Sequence, residues 1–138
     1  MNFPKLSDKV YALEIDLNTL FENTPKRVRS KIGYTTKNMD KRISGFRFSG
    51  NLRGKEHLVK KVFVSKNILA KSIERIAVEI AILRGYEKVL DKNLGLGYSE
   101  WFYCSGNQIK SCILQAYKIV NKQIKHKEKK NGKDSETT

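Results

Sequence analysis

The sequence predicts an all-α protein, an up-down-up-down four-helix bundle. Three observations predict it. Apolar or small residues recur at steps of three and four, the period of a helix with one buried stripe. Helix-start and turn signals at Thr24-Pro25, "SGNLRG" (49–54) and "NLGLG" (93–97) cut the chain into four such segments. Apolar residues make up 39% of 138 residues, enough for one modest core and too many for a disordered chain.

The first helix is expected over about 8–22, with Ser7 as N-cap, Asp8 in the first turn and Val10, Leu13, Leu17, Leu20 and Phe21 as its stripe. Thr24 as N-cap and Pro25 at the first helical position open the second, because proline's missing N–H costs nothing there. Its stripe is Val28, Ile32, Thr35, Met39, Ile43 and Phe46, and Gly33 and Gly45 weaken it by about 1 kcal/mol each. The third helix carries Leu58, Val62, Leu69, Ile73, Ile76 and Ile80 and runs to about Lys92, with Gly85 as a kink. Within it "LVKKVFVS" is locally β-prone, and a short strand is the rival expectation. The fourth runs from about Ser99 to Lys125 with Phe102, Ser105, Ile109, Cys112, Ala116 and Val120 inward. Residues 1–124 thus read as the bundle domain, and 125–138, "KHKEKKNGKDSETT", as a flexible basic tail.

Charge points to the partner. The chain carries 28 Lys and Arg against 14 Asp and Glu, a net +14. Residues 24–74 hold fourteen bases and three acids, whereas residues 1–23 hold two bases and four acids. A polyanion, RNA or DNA, fits such a balance, because each phosphate neutralised releases counterions. The bases lie mostly off the apolar stripes, so the contact residues expected are Lys26, Arg27, Arg29, Lys31, Lys37, Lys41 and Arg42, then Arg53, Lys60 and Lys61. Their role is contact with phosphate or with acidic residues of a protein partner.

No catalytic or metal constellation is expected, and no cofactor. His57 and His126 are the only histidines. Cys104 and Cys112 read as small buried residues rather than a disulfide or redox pair. "LGLG" lacks the lysine and the strand-then-helix context of a phosphate loop, so it reads as a helix stop. Glu74 and Glu79 do not share a helix face. Tyr34, Phe46, Phe48, Tyr98, Trp101, Tyr103 and Tyr117 have the chemistry to stack on bases, but their helical spacing favours core or interface roles. No apolar run is long enough to span a membrane, and the opening "MNFPKLSDKV" has no apolar signal region, so a cytoplasmic location is expected.

The order "TPKRVRSKIG", "RFSG", "KEHL", "ILAKSIERIA" and "SGNQIKSCI" resembles the accessory variability determinant proteins of diversity-generating retroelements. The same four-helix family includes the proteins encoded in intervening sequences of bacterial large-subunit rRNA genes. The matching features are Pro25 with Lys26, Ser49-Gly50, Leu58 and Gly106, across about residues 8–125. The resemblance implies a homo-pentameric barrel of bundles that binds a reverse transcriptase and its template RNA and supports mutagenic cDNA synthesis without doing chemistry. The alternatives are a DNA-binding regulator, in which "HLVKKVFVS" is a strand of a dimer, and a basic bundle associated with rRNA or the ribosome.

Overall fold

The structure is a computed structural model; it describes residues 7–136 apart from 19, 23 and 96, with the backbone alone for 99 and 126–136. Residues Lys9–Asp16, expected to be helical, form a strand, β1. "KVYALEID" is rich in residues that fit a pleated surface, and it is apolar on both sides. Val10 and Ala12 face one way, Tyr11, Leu13 and Ile15 the other, and all five are buried. A strand covered on both faces loses the alternation that would distinguish it from a helix.

The second expected helix is also a strand for most of its length. Pro25 does sit at a first helical position, but only of the single 3-10 turn Pro25–Arg27; Val28–Thr35 follows as β2. The step from Val28 to Ile32 suits either geometry, whereas Thr35 falls on the opposite face of a strand. What decides is that β2 pairs antiparallel with β1 along its whole length. Gly33 stands opposite Tyr11 in that register, and the Tyr11 ring lies where a Cβ at 33 would stand. Gly33 is therefore the flat place that seats Tyr11, not a weak point in a helix. Only Met39–Ser44 of the segment is helical (α1), capped by the Asn38 side chain, which accepts from the Asp40 N–H at 2.8 Å.

The rival expectation for the third segment is the one realised: Lys60–Lys66 is a strand, β3. An Asn67 turn then starts α2, Ala70–Leu83. Gly85, at φ 83°, ends that helix rather than kinking it. Its N–H reaches the Ile82 carbonyl and the Tyr86 N–H reaches Ala81, the paired bonds of a Schellman stop. The last helix, α3, spans Gly106–Glu136. It starts seven residues later than Ser99 because Ser105 and Gln108 form a reciprocal cap, each side chain accepting from the other's backbone N–H, at 3.2 and 2.8 Å. The Glu14 carboxylate adds a bond from the Gly106 N–H at 2.6 Å, negative charge at the positive helix end. Just before it, Trp101–Phe102 forms β4.

The result is a four-stranded antiparallel sheet in the order β3-β1-β2-β4, a mixed α/β fold in place of the four-helix bundle and of the barrel of bundles. Helices α2 and α3 cover one face, burying Ile73, Ala77, Ile109, Ile113 and Ala116 against Val10, Ala12, Ile32 and Phe102. The other face, called the back here, is covered by α1 and 3-10 turns through Met39, Phe48, Leu52 and Leu94. Among the described residues no helix is long and apolar enough to cross a membrane.

Candidate nucleic-acid interface and its pocket

Helix α1 and the residues just after it lie over the back of the sheet, with contacts to β3, β1 and β4. Near its start Asp40 pairs with Lys61 of β3 at 3.2 Å. Two residues on, the Arg42 Nε donates to the Tyr11 hydroxyl of β1 at 3.2 Å. Beyond its end Phe46 meets Trp101 of β4 edge-on, the ring centroids 5.9 Å apart. The layer that follows, residues 36–61, carries eight bases and two acids. Both acids are engaged: Asp40 with Lys61, and Glu56 as acceptor of the Phe48 N–H at 2.7 Å. Lys37, Lys41, Arg47, Arg53, Lys60 and Lys61 are exposed.

Where this layer meets residues 92–101 a cavity of about 740 Å³ opens. Lys31 rises into it from the middle of β2; the whole residue is only 1% exposed, and its ammonium pairs with Glu100. Burial lowers the Lys31 pKa, and the hydrogen bond and charge of Glu100 oppose that. Arg42, Arg47 and Lys92 complete the cationic wall, and Phe46, Tyr98 and Trp101 supply aromatic surface. Around the Lys31–Glu100 pair the titrating groups are coupled. Burial raises the Tyr11 hydroxyl, with the Arg42 charge opposing, and burial followed by repulsion from Glu100 raises Glu74 of α2.

The ten residues expected to make contacts do not form one set. Lys37, Lys41, Arg53, Lys60 and Lys61 share the basic layer and its margin. Arg42 is half-buried in the pocket, its guanidinium 4.9 Å above the Phe46 ring. Lys26 is exposed over Tyr103, and Arg27, just before β2, pairs with Asp16 at the end of β1 at 3.7 Å. Arg29 and Lys31 are no surface contacts at all. Arg29 is 2% exposed, bonded to Asp91 at 2.7 Å and to the Lys26 carbonyl at 3.1 Å, and stacked over Phe21.

Arg47, Lys92, Tyr98, Glu100 and Trp101 were not expected as site residues. "NLGLG" read as a helix stop; its Gly95 and Gly97 instead line the pocket between two 3-10 turns. No local pattern marks Arg47, yet its φ of 51° is the one left-handed non-glycine backbone among the described residues. The cysteines are free and buried as expected, and burial pushes the Cys104 thiol up to about 12. Among the described residues no group of three or more His, Cys, Asp or Glu is placed to hold a metal.

A basic layer thus borders a cavity lined by cations and aromatic rings, the candidate site of the molecule. Comparison with family models, curated proteins and solved structures returned no match.

Proposed function

We propose that this protein is a non-catalytic nucleic-acid-binding protein, with single-stranded RNA as its first ligand, held against the layer that covers the back of the sheet. The observation that carries this reading is the set of exposed bases on residues 36–61, whose two acids are both used internally. Phosphates are held by such a surface without sequence preference, and half-buried aromatics beside it suit unpaired bases. Duplex DNA is the second reading: the stretch expected to be a strand in a DNA-binding regulator is the edge strand β3, with Lys60, Lys61 and Lys66 exposed. The accessory role beside a reverse transcriptase leaned on a bundle that the chain does not form, and it is not carried forward.

Polarisation of labelled single-stranded RNA, single-stranded DNA and duplex DNA, from roughly 50 to 200 mM salt, tests the reading. RNA is expected to bind saturably and most tightly. Lys41→Glu with Arg53→Glu and Lys60→Glu is expected to weaken binding more than about tenfold and to flatten the salt dependence by about one unit of slope per lost contact. Unchanged binding by this variant would reject the layer as the interface.

A further inference from the structure

We infer that the cavity beneath the basic layer is a site for one nucleoside monophosphate unit, either a free nucleotide or the phosphorylated end of a strand. This deepens the nucleic-acid reading and rests on it for the second source alone.

The volume, about 740 Å³, falls in the range of small-molecule sites. Its charge is specific. Lys31, Arg42, Arg47 and Lys92 meet a single acid, Glu100, which is already paired with Lys31. Three cations remain in excess, which suits the double negative charge of a terminal phosphate better than the single charge of an internal diester. The cations sit in different states. Lys31 is fixed at the floor and Arg42 is held by the Tyr11 hydroxyl and the Phe46 ring, so both are preorganised. Arg47 and Lys92 are exposed at the mouth, free to close on a phosphate. The Arg42 guanidinium and the half-buried Tyr98 offer flat surfaces to a base.

Arg47 adds an independent observation. Its backbone occupies a conformation that favours glycine, at a cost that persists only where the surroundings hold it. The strain places a guanidinium, rather than nothing, at the mouth of the cavity. That makes Arg47→Gly a clean test, because glycine relieves the backbone while removing the charge.

Trp101 is the only tryptophan of the chain and lines the cavity, so its emission reports on occupancy. The full-length protein is titrated with the four 5′-nucleoside monophosphates, with adenosine, with inorganic phosphate, and with short RNAs that end in phosphate or hydroxyl. A monophosphate is expected to change the emission saturably, with nucleoside and inorganic phosphate each at least about tenfold weaker, the first for lack of the charge-assisted phosphate contacts and the second for lack of base stacking. Arg47→Gly and Lys92→Ala are each expected to weaken the monophosphate about tenfold while leaving thermal unfolding unlowered. Phosphate-ended RNA stronger than hydroxyl-ended RNA assigns the site to strand ends; equality assigns it to free nucleotide. Inorganic phosphate binding as well as any nucleotide, or emission that no ligand changes, overturns the inference. If labelled RNA still binds the basic layer in that case, the nucleic-acid reading stands without the pocket. Nucleotide binding without RNA binding would mean the reverse.

Discussion

Under α2 and α3 the sheet presents Val10, Ala12, Ile32 and Phe102, and the helices meet it with Ala70, Ile73, Ala77, Ile109 and Ile113. On the back the same strands present Tyr11, Leu13 and Ile15, but also Arg29 and Lys31, and what meets them is one short helix, 3-10 turns and a cavity. Regular elements satisfy their own backbone and need mainly apolar contact, so the helix side packs mostly with small and branched residues, and the Glu14 carboxylate there meets the N-terminus of α3. Irregular cover leaves polar groups to satisfy and room between them. The buried cations lie on that side, and because burying a charge costs stability unless it is paired, each has an acid beside it, Asp91 for Arg29 and Glu100 for Lys31. One face of the sheet makes the fold; the other carries the proposed site.

The comparison predicts different responses to substitution. The largest effect is expected on the helix side. Ile73→Ala empties a fully buried site between α2 and the sheet, and about 3–4 kcal/mol of stability is expected to be lost in denaturant unfolding. On the back the counterpart is Asp91→Asn. It keeps an acceptor for the Asn93 N–H and removes the charge that balances Arg29. A loss of about 2–3 kcal/mol is expected, below the full penalty for an orphaned ion because Asp91 is partly exposed and water can reach the pair. A loss under roughly 0.5 kcal/mol, the scale of a surface pair, would mean that Arg29 is solvated and the contrast between the faces is overdrawn.

That contrast also explains what the sequence shows and what it hides. The α3 stripe Ile109, Cys112 and Ala116 follows helical spacing and is buried as read. So is the centre of α2, where Ile73 lies at the expected position. The strands were hidden for two physical reasons. β1 is apolar on both faces, so it shows no alternation. In β2 the inward positions on the back are filled by Arg29 and Lys31, which any hydropathy pattern assigns to solvent. The same two residues lead from the fold to the site. The net charge of the segment is legible in the sequence, and charge alone groups its bases as one interface; that Asp91 and Glu100, more than sixty residues away, neutralise two of them is not legible there. Pocket residues drawn from β2, the chain after α1 and residues 92–101 share no spacing that a linear pattern can reveal.

Lys31→Met sharpens the comparison from the other direction. The side chain keeps its length and loses its charge, and the partner left behind, Glu100, is 57% exposed and stays hydrated. Replacing a buried ionic group by an apolar one of similar size is often neutral or stabilising. Stability is therefore expected to stay level or rise by about 1 kcal/mol, while nucleotide-dependent Trp101 emission is lost. A loss of stability comparable to Ile73→Ala would make Lys31 a structural residue and remove the difference between the two faces at this position.

The smallest effect concerns Glu74, where α2 comes within electrostatic reach of Lys31 and Glu100. Half-burial and then the charge of Glu100 raise its pKa above the usual 4.5. Between 4.5 and the raised value the folded chain holds a proton that the unfolded chain has released. The unfolded state then binds fewer protons, so stability falls as pH rises through that window. Glutamine does not titrate. The stability of Glu74→Gln relative to the native chain is therefore expected to be least near pH 4 and to grow toward neutrality, by less than about 1 kcal/mol because water reaches half the group. Unfolding midpoints in denaturant across that range measure it. A difference that shrinks as pH rises would mean that Lys31, Arg75 and Lys71 hold the ionised carboxylate favourably, and that the helix layer supports the charge balance of the pocket instead of straining it.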